Sequence, residues 1–407
     1  MAPGNRRRAP VTRTRTEPSP ERAWAAGRLA YVDNLKVLLV AAIIAGHGLG
    51  SYTSTEMFAY ADVRETTLAP ATEAALIAVI APVGLFMIPM LFLVAGLLTP
   101  ASLERKGPGA FARDRLLRLG VPFAVYSFLV WPAILYALYR PLGNAGASYW
   151  RELVGTPDEA LDTGYLWFVG DLLLFSLAYA AWAALRRRAG PSGTTPTTAG
   201  RDIGFLHLSA LAAAVGVCTF AVRFAFPFDS QRLVDLNVYQ WPECIALFTL
   251  GVVAARSGWL TGIPDRLRRQ CRTATLVSAA AFLGTLGVAG VGGALDQSAW
   301  QGGWQWPALV FAVGGSALAV FEPVWLLAEA QRHLDRTLPG VGPWAARSAY
   351  GAFLLQGLFL IGLAVALRPA PAPAEVKAVL VAVGSVAGSF GLARLLVSRV
   401  PGAARVL

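Results

Sequence analysis

The sequence predicts an all-α polytopic membrane protein of about ten transmembrane helices, with N-terminus and C-terminus both cytoplasmic. Three observations carry that expectation. Apolar runs recur along the chain at the length of a membrane span, which takes about 20 predominantly apolar residues. Hydrophobic residues make up 56% of the 407 and charged residues only 14%, against about 25% charged in soluble domains. The cations also alternate with the apolar runs. Of 35 Lys and Arg, only Arg64, Arg140, Arg151, Arg223, Arg232, Arg368 and Lys377 fall in segments away from the side of the N-terminal tail, and Lys36 lies inside the first span. That is the positive-inside pattern of a chain with both ends in the cytoplasm. The net charge of +11 therefore reports orientation rather than a nucleic-acid surface.

Taken in order, residues 1–30 carry arginines at 6, 7, 8, 13, 15, 22 and 28 and read as a disordered basic cytoplasmic tail. The membrane domain follows over 31–400. Its expected spans are 31–50, 73–99, 117–139, 164–185, 205–224, 239–255, 273–292, 306–327, 349–367 and 376–398. The first holds Asp33, Lys36 and His47 and is expected to be retained rather than cleaved. A basic stretch with Arg113, Arg115 and Arg118 leads into the third through Val121-Pro122. Tyr165 and Trp167 open the fourth, as aromatic residues do at an interface, and Asp171 lies about two turns in. A flexible Gly/Ser/Thr/Pro linker lies in the cytoplasmic loop 186–203. Arg223 closes the fifth span, Glu243 opens the sixth, and Glu322-Pro323 is expected to end the eighth helix. Residues 401–407 form a short cytoplasmic tail. Cys218, Cys244 and Cys271 have no CxxC spacing, so neither a disulfide framework nor a metal site is indicated.

The first span is the chemical centre. A charge at mid-bilayer costs at least ~2.5 kcal/mol on insertion scales, so ionisable groups there need a partner or a purpose. Lys36 and His47 are eleven residues apart, which returns a helix to within ~20° of the same face after a rise of about 16 Å. Asp33 shares that face. Lys36 alone fits a snorkelling anchor as well as a ligand group. His47, well inside the apolar run, points to function. Asp171 and Glu243 are each costly in a span unless paired, and Arg223 is the expected ion-pair partner of Glu243. Singly these acids read as structural; together they suggest a polar cavity that His47 also faces. Arg115 and Arg118, neighbours on a helical face, read as a positive-inside anchor or as an anion site for a phosphorylated ligand.

With these residues in view, the chain resembles the acyltransferase-3 family of integral membrane O-acyltransferases over nearly all its ordered length. The matching features are the basic residue, ten residues, then histidine of Lys36 to His47; the small-residue run Leu91–Leu98; the basic turn Arg115–Pro122; the Trp167-Phe168 opening of the fourth span; the sixth-span end from Leu247 to Trp259; and Ser348-Ala349-Tyr350. Lys36 stands where arginine is more usual, Tyr165 and Gln356 where relatives often have histidine, and Ala95 where many have serine. The resemblance is to the stand-alone branch with no fused esterase domain.

The resemblance implies acyl transfer from a cytoplasmic acyl-CoA, acetyl-CoA foremost, to a hydroxyl of a carbohydrate, a glycolipid or another extracytoplasmic or membrane acceptor, in the plasma (cytoplasmic) membrane. No metal is expected. On that reading His47 is the general base or acyl carrier, Lys36 acts with it, and Lys36, Arg115 and Arg118 hold the donor. Asp33, Trp167, Asp171, Arg223, Glu243 and Tyr350 line the substrate region. A secondary transporter would suit the composition equally, but no paired repeat is found. A non-catalytic relative that keeps the fold is the other alternative, hinted at by Tyr165 and Gln356.

Overall fold

A computed structural model describes residues 29–54, 60, 63–139, 162–188, 203–228, 230, 236–291, 298–336 and 342–402. Residues 1–28 of the expected tail, Arg140, Arg151, Arg232, most of the loop 186–203 and residues 403–407 lie outside the described residues. Among the described residues the chain is helical and has no strand.

Its long helices are α1 (Ala30–Gly50), α2 (Pro70–Lys106), α3 (a continuous run opening as Pro108–Arg115 and closing as Trp131–Tyr139), α4 (Trp167–Arg188), α5 (Phe205–Val222), α6 (Trp241–Arg256), α7 (Asp265–Val291), α8 (Trp306–His333), α9 (Gly342–Leu367) and α10 (Ala374–Arg399). Each expected span falls on one of them. Nine among the described residues, all but α7, are long and apolar enough to cross a membrane, and the chain is a multi-pass membrane protein. α7 forms over the seventh expected span, with Asp265, Arg266, Arg268, Arg269 and Arg272 in its first turns.

The helix ends follow from local chemistry. Proline sits in the first turn of α2, α6 and α8, where its missing N–H has no intrahelical partner to lose and its fixed φ suits the helix. Gly107, at φ 76°, ends α2 and turns the chain into α3. One expectation fails: α8 does not stop at Glu322-Pro323 but runs on to His333. Pro323 is buried, a setting in which membrane helices tolerate proline.

α2 and α8 lie at the middle. α6 packs along α2, α5 and α7 along α8, and α9 and α10 along α1, which also touches α2 and α8. Within a bilayer, lipid tails are as apolar as leucine, so close backbone approach across small residues has to supply helix association. Gly96 of α2 and Gly251 of α6 make one such seam: a Cβ on either would collide with the opposite backbone, at Phe248 O and Leu93 O respectively. Gly48 makes a second, since a Cβ there would lie 2.5 Å from Ala382 Cα on α10.

These contacts and a set of polar ties fix α1 along its length. Near its start, Tyr31 Oη donates to Leu260 O at 3.0 Å, and Asn34 Nδ2 donates to Leu334 O and Arg336 O, both at 2.8 Å. Beyond its end, Ser54 N donates to Glu73 Oε1 at 2.8 Å. Glu65 accepts from Lys377 Nζ of α10 at 2.7 Å and from Tyr60 Oη at 2.6 Å. Partial burial works to raise the Glu65 carboxyl, but the bonds from Lys377 and Tyr60 outweigh it and hold the group below the ordinary carboxylate value. Burial, with the nearby Glu65 charge adding to it, pushes the Tyr52 phenol up to about 12.

Candidate functional site

His47 lies in the last turn of α1. Its Nδ1 is 3.0 Å from Gln356 Oε1 on α9. Gln356 is fully buried, and its Nε2 donates to Phe353 O at 3.1 Å. That second bond settles which end of the amide meets the ring: the NH2 is committed to α9, so the carbonyl oxygen faces His47. An amide oxygen only accepts, so this arrangement calls for the hydrogen on Nδ1. In a neutral imidazole the in-plane lone pair is then on Nε2.

The ring also packs on Tyr165, with centroids 4.8 Å apart and planes tilted by 35°. Tyr165 belongs to the short 3-10 turn Gly164–Leu166 ahead of α4. It meets Trp131 edge-on at 5.4 Å, and Trp131 stacks on Tyr126 at 5.9 Å. This aromatic wall comes from α3 and the start of α4. The histidine ring therefore packs between α9 and the wall, and His47 as a whole residue is partly accessible.

Lys36 occupies the other end of the stripe. Its Nζ is 3.4 Å from Asp33 Oδ1, and both side chains are about a third exposed (36% and 30%). In such a position a single-turn ion pair adds little to stability, and the ammonium is at liberty to meet another anion. The turn Leu116–Gly120 between Arg115 and Arg118 widens to a π-helix, and the two charges still lie near enough to act on each other. Such one-turn widenings interrupt the regular register. The partly buried Arg115 lies over the Phe111 ring at 4.9 Å. Arg118 is exposed, its Nε 3.7 Å from Asp114 Oδ1. Tyr350 Oη donates to Arg118 O at 2.8 Å, which ties α9 to α3 at a level about 9 Å along α9 from Gln356.

The remaining predicted residues gather around α6. Asp171 is fully buried and accepts from Trp241 Nε1 at 3.1 Å, while Trp167 is partly buried against the core. Arg223 and Glu243 are buried at 2% and 6% exposure, but the expected ion pair does not close to contact distance. The Arg223 guanidinium lies over the Phe228 and Phe311 rings, at 5.2 and 5.0 Å, which satisfy part of a buried cation's electrostatic demand, while the Glu243 charge acts on it at longer range. The acids thus cluster at α6, whereas His47 is held by Gln356 and Tyr165.

Gln356 and Tyr165 are what sequence reasoning underrated. It named them as departures from a pattern, although an amide within the apolar run Phe353–Leu358 is itself a signal, since a buried amide must find partners. Among the described residues no group of His, Cys, Asp and Glu is arranged to hold a metal.

Known protein families supply the remaining observation. A model of the acyltransferase-3 family, an acyltransferase domain, matches residues 29–395. The chain belongs to that family. It is an acyltransferase, and the match runs from the start of α1 into α10, so that Lys36, His47, Tyr165, Tyr350 and Gln356 all lie within the family domain. No curated protein and no solved structure matches the chain.

Proposed function

We propose that this protein is a membrane O-acyltransferase that moves an acetyl or similar small acyl group from acyl-CoA to a hydroxyl of a carbohydrate, glycolipid or other acceptor in or across the membrane. The observation that carries the proposal is the His47 ring, packed between Gln356 and Tyr165 at the opposite end of a polar stripe from Lys36. The positive-inside reading of the charges supports a cytoplasmic Lys36, on the side where acyl-CoA is found. Lys36, Arg115 and Arg118 are cations suited to the donor's phosphates, and the ~16 Å between Lys36 and His47 suits an extended pantetheine arm.

The step itself needs one basic nitrogen. His47 Nε2 takes the proton of the acceptor hydroxyl as its oxygen attacks the thioester carbonyl carbon. The C–O bond forms, the C–S bond breaks, and the proton passes from Nε2–H to the departing thiolate. The products are the O-acyl ester and free CoA thiol, and the histidine is regenerated. An acyl-imidazole on the same nitrogen would be the two-step version.

Labelled acetyl-CoA supplied to membranes containing the protein, followed by mass spectrometry of glycans, glycolipids and secreted metabolites, tests the reading. A mass gain of one acyl unit with wild type and none with His47→Ala is the expected result. Wild-type transfer by His47→Ala would remove His47 from the reaction.

A further inference from the structure

We infer that Gln356 is a positioning residue for His47: it fixes the ring tautomer and aims Nε2, rather than merely filling the core. The inference deepens the proposed function and rests on its assignment of His47. Two bonds in series carry it. Phe353 O takes the amide N–H at 3.1 Å, and the amide oxygen faces the ring nitrogen at 3.0 Å. Moving the ring hydrogen to Nε2 would set two acceptors against each other at that separation. Turning the amide over would give up the bond to Phe353 O and aim oxygen at oxygen. Both alternatives leave polar atoms unsatisfied in a fully buried position, so one tautomer is selected. The Tyr165 ring, 4.8 Å from the imidazole, restricts rotation out of that alignment. An amide here does what a carboxylate does behind a catalytic histidine, without placing a second charge in the membrane interior.

The test has two readouts. Only three histidines are present, so the full-length chain with His207→Asn and His333→Asn leaves one ring to observe by 15N NMR in detergent. We expect a protonated Nδ1 and an unprotonated Nε2, and a mixture of the two tautomers in Gln356→Met. In the transfer assay, Gln356→Met lowers kcat at least about tenfold with donor KM unchanged, and Gln356→Glu, which keeps an acceptor facing Nδ1, recovers activity above Gln356→Met. A wild-type ring protonated at Nε2, or a Gln356→Met variant with wild-type tautomer and kcat, overturns the inference. Should His47→Ala transfer acyl groups normally, the functional reading fails instead, while the NMR result still decides what Gln356 does to the ring.

Discussion

The two polar ends of α1 are built differently. At one end Lys36 pairs a turn away with Asp33, and both are about a third open to solvent. At the other, His47 is held by a fully buried amide and an aromatic face. The loose end can reorganise around whatever anion arrives; the tight end has its geometry set in advance. Under the proposed function the contrast would divide labour between capture and chemistry, because catalytic groups gain most when the protein already holds them in line, whereas a phosphate can be met by a mobile cation.

Substitutions can break that contrast. The largest effect is expected from His47→Gln, which keeps a polar side chain but removes the base: kcat in the acetyl-CoA assay should fall by on the order of 10²–10⁴, with little change in donor KM. Next comes Gly48→Val. Its side chain would meet α10 at Ala382, where even a Cβ lies 2.5 Å from Cα, so overpacking should cost about 1–3 kcal/mol, read as a lower melting temperature in detergent, and should displace His47 with it. Lys36→Ala should raise donor KM about tenfold, the scale of one lost charge-assisted hydrogen bond, and leave kcat near wild type. Lys36→Arg should restore KM. Equal kcat losses at Lys36 and His47 would erase the division.

The smallest effect is a pH dependence. Glu65 sits below the ordinary carboxylate value when folded, so it binds fewer protons folded than unfolded. Its contribution to stability is present above an unfolded pKa of about 4.3 and is lost as pH falls through the folded value. Thermal melts of wild type and Glu65→Gln should differ at neutral pH and converge as the pH drops below about 4. A gap that persists unchanged into acid would dissociate Glu65 from the Lys377 tie.

The helices, and the place of His47 near the end of the first, were legible in the sequence because span length and a histidine in an apolar run are local signals; the one helix end read from a proline, at Pro323, was not borne out. The role of Gln356 was not, since its bond to His47 joins positions 309 residues apart, and only their juxtaposition turns a departure from pattern into a support. Arg223 and Glu243 were legible by half, since their charges act on each other without closing to a contact pair. Opposite charges in adjacent spans suggested a pair, but the rings of Phe228 and Phe311 occupy the cation's faces, and ring placement is a tertiary property. The widened turn Leu116–Gly120 likewise leaves no trace in residue spacing.

Gly48 carries a last implication. With one hydrogen where any other residue would carry a side chain, α1 rests directly on the spine of α10, immediately after the histidine in sequence. A helix seated that way has no clearance to slide or roll, so the imidazole is a stationary target. On the proposed function, donor and acceptor must then both come to the ring, rather than the ring travelling between them.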